Sequence, residues 1–544
     1  MSTAASSEPP TSALAALGDP DAYPLLRDLV RLDTSNLEDP AHQRWEKPHY
    51  AQAARYISDV ATRWGLTARI FDPVTDLPDS GALHGVARPN VIVDLDIDAD
   101  ERVIIMSHYD VVPVPAEQLS RWHSPPHELT YRPDGLFYGR GSSDDLGSGV
   151  VPSLIAAKQL RHNSALARNL RLLFCCDEET GGAGGVEGLK AHDAKLPVND
   201  PDRFLDGNVV LIPDGDPHAT AGSSGVLFLD GTFSRPVPLP RVVSFGEGLA
   251  SLQKLAESWV SVYPSPDWPD HGAPFPFITG RATVTKWDAS AERAAAAGRP
   301  QVVAVRAETD ATNQVAQSVT LVFQGTPRAL STLPEQLAPV LPAPFRLEVG
   351  GITSLQIPPG ALSLSVVGAN THAGYPHRGH NPVPAALQLL DRAVRAGWLD
   401  DSSPMVATFG VDLRLPPEMS LDAGVTAALE YGRTWSARHD PDSRVEVPLD
   451  RSRGGYAMSP TQPDLVKLER ILSSVFGSTG IYGEYGGTDA SSLLGIQTPQ
   501  GEQLPGLVFG LMNRTSHIHE AEENLDPVGV ARVTETIRRF VLEP

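Results

Sequence analysis

The chain has 544 residues, of which 41% are hydrophobic and 20% charged, a composition typical of a globular, soluble protein of two or three domains. Its formal net charge of −22 argues against nucleic acid or an anionic membrane as the main partner. No apolar run is long enough to span a membrane. Residues 1–20 are rich in Ser, Ala and Pro and lack the basic start and apolar core of a signal peptide, so we predict a flexible tail there.

The two cysteines of the chain, Cys175 and Cys176, are adjacent. They cannot build a disulfide framework, and this favours a reducing compartment, so we predict a cytoplasmic protein. Two cysteines also cannot form a cysteine-rich zinc site. Any metal ion must therefore be held by His, Asp and Glu side chains.

Apolar periodicity predicts alternating helices and strands in the first 220 residues. Buried strands are predicted at 102–106, 170–176 and 208–212, and each leads into polar residues. Such alternation implies an α/β fold with a largely parallel, covered sheet, in which chemistry often lies at strand ends. The other elements predicted here are helices at 23–32, 49–64 and 146–160 and a strand at 90–97.

The strand at 102–106 leads to His108 and Asp110. In an extended segment, residues two apart point to the same side, so Asp110 can accept a hydrogen bond from one imidazole nitrogen while the other nitrogen binds a metal ion. A His-x-Asp sequence is weak evidence by itself, because a chain with 16 histidines readily contains one by chance.

A glycine-rich loop at 135–147 contains Asp144 and Asp145. An aspartate at this position can simply cap the following helix. A glycine-rich loop before a helix can also bind phosphate. We exclude phosphate because no Lys-Ser or Lys-Thr follows the glycines and two carboxylates occupy the place that a phosphate would take.

The strand at 170–176 ends in three consecutive acids, Asp177, Glu178 and Glu179. Burial and mutual repulsion disfavour charged carboxylates in such a place, and a divalent cation offsets both effects. Two adjacent glutamates also allow one to bind metal while the other acts as a base. A solvated acidic turn is the alternative, and this stretch alone does not decide between the two. The strand at 208–212 ends in a further acid, Asp214.

The composition and the apolar pattern of the sequence change after residue 221, where Pro-rich and Ala-rich stretches alternate with strand-like runs. We predict an inserted α+β lid domain at 222–455, enlarged by about residues 226–358, and a catalytic domain formed by 21–221 and 456–544. Strands are predicted at 226–233, 302–307, 319–323, 345–349, 362–368, 406–413, 444–448 and 507–511, and helices at 246–259, 383–396, 421–436, 465–476 and 527–540.

Motifs with potential metal ligands occur in this order along the chain: His108-x-Asp110, Gly139-Arg140-Gly141-x-x-Asp144, Asp177-Glu178-Glu179, Asp214 and His519-x-x-x-Glu523. They resemble the M20 family of co-catalytic zinc peptidases and deacylases, which includes carboxypeptidases, aminoacylases, succinyl-diaminopimelate desuccinylases and carnosinase-type dipeptidases. The resemblance runs from about residue 100 to the C-terminus and leaves the insertion unmatched. It implies a zinc-peptidase-like catalytic domain with a mostly parallel central sheet and an inserted lid.

The resemblance implies metal ligands by position. His108 and Asp214 would bind one zinc ion, and Glu179 and His519 would bind the other. Asp144 would bridge both ions. The same side chains would also suit Co²⁺ or Mn²⁺.

The resemblance also implies roles for residues that bind no metal. Asp110 would orient His108, Glu178 would be the general base, and His372 would polarise the scissile carbonyl. Arg414, at the end of a strand in an Asp-x-Arg sequence, would hold a substrate carboxylate. The remaining implied substrate contacts are Asn381, Gly487 and Thr488.

The charges of this ligand set are consistent with hydrolysis. Two zinc ions carry a charge of +4, and three carboxylates carry −3. One positive charge is left, which a hydroxide can balance. Metal ions lower the pKa of such a water, and Glu178 would take its proton and pass it to the leaving amine. The resemblance, with which these charges agree, therefore implies a di-zinc hydrolase that cleaves an amide or peptide bond of a dipeptide or an N-acyl amino acid with a free carboxylate.

Several alternatives stay open. Residues 375–382 look most like the desuccinylases, whereas the acidic stretch at 177–180 looks closer to the dipeptidases. His517 competes with His519, which we prefer because its spacing to Glu523 matches the family. A non-catalytic metal-binding member of the fold and a hydrolase of other amides are the alternative functions.

The insertion bears on the oligomeric state. In homodimeric relatives the lid histidine reaches the active site of the other subunit, whereas in carnosinase-type bacterial dipeptidases an enlarged lid replaces that subunit. An insertion of about 130 residues can bury a small core of its own. We therefore predict that His372 acts within its own chain and that the protein works as a monomer. A homodimer through the lid is the alternative.

Overall fold

The computed structural model describes two compact units. Unit 1 comprises Met1–Ser223 and Tyr456–Pro544, and unit 2 comprises Ser224–Gly455. Unit 2 starts two residues after the predicted lid and ends at the same residue. The described residues are 8–35, 49–77, 87–114, 118–197, 200–233, 236–261, 263, 278–291, 298–307, 314–350, 355–376, 379–402, 404–439, 443–449, 452–477 and 480–543.

The first part of unit 1 alternates helices and strands, as the apolar periodicity predicted. Its helices are α1 (Thr11–Ala16), α2 (Ala22–Val30), α3 (His49–Arg63), α4 (Pro73–Asp76), α5 (Val151–Leu160) and α6 (Val186–Asp193). Its strands are β1 (Thr67–Phe71), β2 (Asn90–Leu95), β3 (Arg102–His108), β4 (Thr130–Tyr131), β5 (Phe137–Tyr138), β6 (Asn169–Cys175), β7 (Val209–Ile212) and β8 (Ala219–Ser223).

Unit 2 is an α+β unit, as predicted for the insertion. Its strands are β9 (Gly225–Phe233), β10 (Val237–Pro238), β11 (Arg281–Ala291), β12 (Gln301–Ala307), β13 (Ser318–Gln324), β14 (Arg346–Val349), β15 (Leu362–Val367), β16 (Pro404–Leu415) and β17 (Ser443–Glu446). Its helices are α7 (Leu239–Glu257), α8 (Pro327–Leu337), α9 (Pro382–Arg395) and α10 (Leu421–His439).

The chain then returns to unit 1 for its last segment. This segment contains the strands β18 (Tyr456–Ala457), β19 (Ile481–Glu484), β20 (Gly506–Val508) and β21 (Asn524–Leu525) and the helices α11 (Pro463–Phe476) and α12 (Pro527–Leu542). In the described part of the chain, no helix combines the length and the hydropathy that crossing a bilayer requires.

The prediction of a flexible tail over residues 1–20 is wrong for its second half. Residues 11–16 form α1, which contacts α12, and Ala13 and Leu17 are buried. Ala13 and Leu17 are four residues apart and therefore lie on one helical face. The composition of the segment concealed this short apolar stripe.

The central sheet of unit 1 is mixed. Its strand order is β1-β2-β6-β3-β7-β20-β8-β18, with β19 beside β8. The four strands β6, β3, β7 and β20 are parallel to one another, and β19 is parallel to β8. The other four pairings, β1–β2, β2–β6, β20–β8 and β8–β18, are antiparallel. The α/β class is therefore confirmed, but "mostly parallel" is correct for the centre of the sheet alone.

Unit 2 is built on an antiparallel sheet with a core of its own. The strand order is β14-β15-β13-β12-β11-β16-β9-β17, with β10 beside β16, and all of these pairings are antiparallel. Trp287 on β11 and Phe409 on β16 are buried and stacked, with ring centroids 6.2 Å apart. Strands β11 and β12 of the insertion thus lie in the middle of the sheet rather than at its edge.

Candidate metal centre

Three parallel neighbours bring polar residues to one edge of the unit 1 sheet. His108 is the last residue of β3, Glu179 follows β6 by four residues, and Asp214 follows β7 by two. Because β6, β3 and β7 are adjacent and parallel, their carboxyl ends share one edge. The three strands that apolar runs predicted therefore also bring three of the five predicted ligands to one edge.

The carboxylate of Asp144 lies between two imidazole rings. Its Oδ1 is 3.2 Å from Nε2 of His108, and its Oδ2 is 3.0 Å from Nε2 of His519. Nε2 of His519 is also 3.1 Å from Oε2 of Glu179. Nε2 of His108 is 3.9 Å from Oδ2 of Asp214. The five predicted ligands thus form two sets of donor atoms that share Asp144.

These donor atoms fit divalent metal ions. His108, Asp144 and Glu179 offer atoms that all lie within 4.8 Å of one another, and so do His108, Asp145 and Asp214. Oε1 of Glu179 is buried and has no hydrogen-bond partner among the described residues. Buried carboxylate oxygens are normally satisfied, so an open acceptor beside an imidazole suits a cation. A set of nitrogen and oxygen donors without sulfur is compatible with Zn²⁺, Co²⁺ or Mn²⁺.

The pKa shifts of the clustered side chains also indicate a site that suits a cation. Burial raises the pKa of Glu179 to about 7, and the negative charge of Asp144 adds to this rise. Burial, and then the neighbouring acids, also raise the pKa of Asp214. Burial lowers the pKa of His519, but the charge of Glu179 and the hydrogen bond to Asp144 outweigh it and raise that pKa to about 10. The site therefore favours extra positive charge, which protons or a cation can supply.

Asp110 fixes both the first histidine and the acidic loop. Nδ1 of His108 is 3.0 Å from the backbone carbonyl oxygen of Asp110 and 3.4 Å from its Oδ1. Nδ1 can therefore donate its proton to Asp110, and this leaves Nε2, beside Asp144, as the nitrogen that a metal ion would use. The two carboxylate oxygens of Asp110 accept hydrogen bonds from the backbone N–H groups of Glu178 and Glu179, both at 3.1 Å.

Glu178 is the residue predicted to act as the base. It lies in a single helical turn at Glu178–Thr180 and is buried. Its negative charge contributes to the raised pKa of Asp214, so its carboxyl group lies near that predicted ligand. Glu178 and Glu179 are thus adjacent in sequence and held by the same aspartate, but Glu179 is the one beside His519.

The sequence assigned Glu523 no role of its own, and the structure explains why it lies four residues after His519. The carboxylate of Glu523 is fully buried and ties the loop that carries His519 to the loop that carries Asp144. The arginine of the Gly-Arg-Gly motif signals this buried ion pair in retrospect. Glu523 accepts hydrogen bonds from Arg140 Nη1 at 2.6 Å, Gly141 N at 3.0 Å, Ser143 N at 2.9 Å and Asp144 N at 3.1 Å.

Two further buried acids support the centre, and sequence reasoning assigned them no role. Asp145, joined to Asp144 by a cis peptide bond, accepts a hydrogen bond from the backbone N–H of His108 at 3.2 Å. Asp177 accepts hydrogen bonds from the backbone N–H groups of Gly184 and Gly185 at 2.8 and 2.6 Å. Burial raises the pKa of Asp177 to about 6. Asp145 thus holds the backbone at His108, and Asp177 holds the backbone of the loop that follows Glu179.

His519, and not His517, faces the predicted ligands. The side chain of His519 is 5% exposed and contacts Asp144 and Glu179. The side chain of His517 is 46% exposed, and its Nδ1 is 3.3 Å from Oε2 of Glu520. Both residues have positive φ angles, 53° for His517 and 62° for His519, which no periodicity in the sequence indicates.

Three further histidines contact residues outside this cluster. His123 is exposed and lies 2.9 Å from Glu522, and His127 lies 3.9 Å from Asp33. His380 pairs through its backbone with Ala369. His377 lies outside the described residues.

Two of the predicted substrate and catalytic residues lie on the sheet of unit 2 or next to it. Nδ1 of His372 accepts a hydrogen bond from the backbone N–H of Gly374 at 3.0 Å, so the neutral ring carries its proton on Nε2. Arg414 is buried and makes a bidentate ion pair with Asp412, with both N–O distances at 2.8 Å.

The other predicted substrate contacts have structural partners. Oδ1 of Asn381 caps α9 by accepting from Val383 N at 3.0 Å, and its Nδ2 donates to Val284 O at 2.8 Å. These contacts account for Asn381 without a substrate. In unit 1, Oγ1 of Thr488 accepts from Ala490 N at 3.2 Å, and Gly487 is half-buried. The substrate roles of Asn381, Thr488 and Gly487 therefore stay predictions.

Comparison with known proteins places most of the chain in one family. The family model described as peptidase family M20/M25/M40 matches residues 104–543. A cysteinylglycine-S-conjugate dipeptidase of Corynebacterium striatum is 22% identical over 498 residues, which are 91% of this chain and 90% of that protein. An uncharacterized metallohydrolase of Methanocaldococcus jannaschii is 32% identical over 151 residues, and a second, from Methanococcus maripaludis, is 32% identical over 134. The matches span 34% and 29% of the lengths of these archaeal relatives and 27% and 24% of this chain.

Solved structures share the fold. Human carnosine dipeptidase 1 has a TM-score of 0.58 at 14% identity, with 98% of both chains covered. The dipeptidase Dug1p of Saccharomyces cerevisiae has the same TM-score and coverage at 13% identity. At these identities the likeness concerns the fold, and it agrees with the predicted class.

The matched residues contain all five ordered motifs, and the geometry brings their histidines and acids together. The family model also runs across the insertion, which the motif comparison left unmatched. The chain therefore belongs to peptidase family M20/M25/M40.

Proposed function

We propose that the protein is a di-metal hydrolase that cleaves the amide or peptide bond of a small substrate with a free carboxylate, either a dipeptide or an N-acyl amino acid. The observation that carries the proposal is the carboxylate of Asp144 between His108 and His519, each beside a further carboxylate. One shared carboxylate with a nitrogen and an oxygen donor on each side suits a pair of divalent metal ions.

We assign the proposed ligands to the two ions from the histidine contacts. His108 and Asp214 would hold one ion, Glu179 and His519 the other, and Asp144 both. We favour Zn²⁺, and Co²⁺ or Mn²⁺ suit the same donors. When bound, the two ions would lower the pKa of a water molecule and polarise the substrate carbonyl.

The proton transfers fall to Glu178. Its carboxylate takes a proton from the attacking water as the new C–O bond forms, and it returns that proton to the nitrogen as the C–N bond breaks. His372 donates from Nε2 to the carbonyl oxygen, which gains negative charge in the transition state. The Gly374 hydrogen bond to Nδ1 supports this tautomer.

The substrate carboxylate is assigned to Arg414. A guanidinium group matches a carboxylate in shape and charge. Asp412 engages the edge formed by Nε and Nη2 and so sets the orientation of the group. The name of the Corynebacterium striatum relative, a dipeptidase, supports dipeptides as substrates.

A substrate screen with metal analysis tests the proposal. Purified protein is expected to contain two divalent ions per chain and to hydrolyse dipeptides or N-acyl amino acids. Each free acid should be cleaved at least about tenfold faster than its C-terminal amide, because a charge-assisted hydrogen bond contributes about 1.5–3 kcal/mol. A chelator should abolish turnover, and Zn²⁺, Co²⁺ or Mn²⁺ should restore it. Metal-loaded protein that cleaves neither substrate class would contradict the proposed function, and equal rates on acid and amide would contradict the carboxylate site.

We also propose that His372 acts within its own chain and that the protein works as a monomer. The support is the nine-stranded sheet of unit 2, which has its own buried core. Glu178→Ala and His372→Ala variants, each nearly inactive, are expected to stay inactive when they are co-expressed. In a dimer whose His372 acts on the other subunit, random pairing would leave about a quarter of the sites intact. Recovery of activity towards that level would support the homodimer instead.

A further inference from the structure

Two side chains of β11 hold the backbone next to His372. Oγ1 of Thr283 donates a hydrogen bond to the carbonyl oxygen of Ala373 at 3.2 Å. Nη1 of Arg281 donates to the carbonyl oxygen of Gly374 at 2.9 Å. Thr283 and Arg281 are two residues apart on a strand, so they share one face, and both are buried. The inserted strand thus binds the two residues that follow His372.

One peptide group connects Thr283 to the imidazole ring. The carbonyl of Ala373 and the N–H of Gly374 belong to the same planar peptide and point in opposite directions. Thr283 binds the carbonyl end, and the N–H end donates to Nδ1 of His372 at 3.0 Å. Rotation of this peptide would break both bonds. Thr283 therefore restrains the donor that sets which nitrogen of His372 carries the proton.

The same face of the sheet carries the proposed carboxylate site. In the β11–β16 ladder, Arg281 is paired with Arg414, and Thr283 is paired with Asp412. Like charges directly opposite each other on neighbouring strands are destabilising, so Arg281 is a poor choice for stability alone. The hydrogen bond from Arg281 to the Gly374 carbonyl oxygen provides a reason for an arginine at this position.

We propose that Thr283 and Arg281, both contributed by the insertion, are positioning residues that hold His372 with its Nε2–H directed at the reaction. The inference rests on the proposed function, because it takes the role of His372 from there. It assigns the insertion a part in catalysis. Thr283 acts through the Ala373–Gly374 peptide, and Arg281 acts through the Gly374 carbonyl.

Steady-state kinetics of the metal-loaded, full-length enzyme test the positioning role. Thr283→Val keeps the shape of the side chain and removes its donor, and it is expected to lower kcat about 10–100-fold with KM changed less than about threefold, since a small misplacement near the chemistry costs up to about 10²-fold. Arg281→Met should act in the same direction. Thr283→Ser keeps a hydroxyl and should retain most of the activity. Thr285→Val is the matched control, because Thr285 is equally buried on the same strand.

A double-mutant comparison separates this role from a general structural one. In a His372→Ala background, Thr283→Val and Arg281→Met should lower kcat by less than about twofold further, because residues that act through His372 lose their effect with it. The ¹⁵N spectrum of His-labelled protein should also show the Nε2–H form of His372 in the wild type and a mixture of tautomers in Thr283→Val. This readout is independent of turnover.

The possible failures are distinguishable. Equal losses in the wild-type and His372→Ala backgrounds, a loss confined to KM, or the same loss in Thr285→Val would overturn the positioning role and leave the proposed function intact. Full activity of His372→Ala would overturn the catalytic role of His372 and with it this inference. If Thr283→Val does not fold, the kinetics of Arg281→Met in the wild-type and His372→Ala backgrounds still decide.

Discussion

Glu178→Gln is expected to lower kcat by about 10²–10⁴-fold while both metal ions stay bound. Glutamine has the size of glutamate but cannot accept the proton of the attacking water. The backbone N–H of residue 178 would still donate to Asp110, so the loop should keep its shape. The measurement is kcat on the best substrate of the screen, together with elemental analysis of the same protein sample.

Glu179→Gln is the matched control, because the two glutamates are adjacent and their N–H groups bind the same carboxylate at the same distance, 3.1 Å. Oε2 of Glu179 lies 3.1 Å from Nε2 of His519, so this variant should lose metal rather than proton transfer alone. Added metal ions at high concentration should partly rescue Glu179→Gln and leave Glu178→Gln inactive. A metal-loaded Glu178→Gln variant with nearly normal kcat would contradict the assignment of the base.

The strands that build the metal centre were predictable because each is a short, mostly apolar run that leads into polar or charged residues. The predicted runs at 102–106, 170–176 and 208–212 correspond to β3, β6 and β7 within two residues at each end. Parallel pairing then placed His108, Glu179 and Asp214 at one edge. The predicted strands and their parallel pairing were therefore sufficient to predict that these three residues, although far apart in sequence, lie close together.

The loop after Asp144 was harder, because its shape depends on tertiary contacts. The predicted helix at 146–160 starts as a π-type turn at Leu146–Val150, and regular α-helix begins at Val151. A Cβ atom at Gly147 would lie 1.9 Å from the carbonyl oxygen of Ser142, and one at Gly149 would lie 2.1 Å from a carboxylate oxygen of Asp145. Glycine is therefore required by close approach, which hydrophobic periodicity does not report.

Most of what the sequence missed depends on partners from distant segments. The ion pair between Glu523 and Arg140 joins residues 383 positions apart. Strand β11 was hidden because its last residues were interpreted as part of an Ala-rich piece, although Ala289 is buried in the sheet. Asn381 was selected for its place in a motif, and the sequence did not reveal that its side-chain amide also caps α9.

Asp144→Ala is expected to remove both metal ions and to reduce turnover to background. Asp144 is the one predicted ligand whose two oxygens face both histidines, at 3.2 Å from His108 and 3.0 Å from His519. Its loss takes one ligand and one negative charge from each ion at once. Asp214→Ala should instead weaken the ion on the His108 side and leave the other in place. Elemental analysis after dialysis measures the difference directly.

The adjacent acid provides the sharpest control for this assignment, because Asp145 also lies within ligand distance of His108 and Asp214. If Asp144 is the bridge, Asp145→Asn should keep two ions per chain, since its Oδ2 is already engaged by the backbone N–H of His108. Thermal unfolding gives a second measure, because an ion that binds only the folded state raises Tm with its concentration. Zn²⁺ should raise the Tm of the wild type and of Asp145→Asn, but hardly that of Asp144→Ala. Two ions bound to Asp144→Ala, or their loss from Asp145→Asn alone, would mean that the bridge is Asp145.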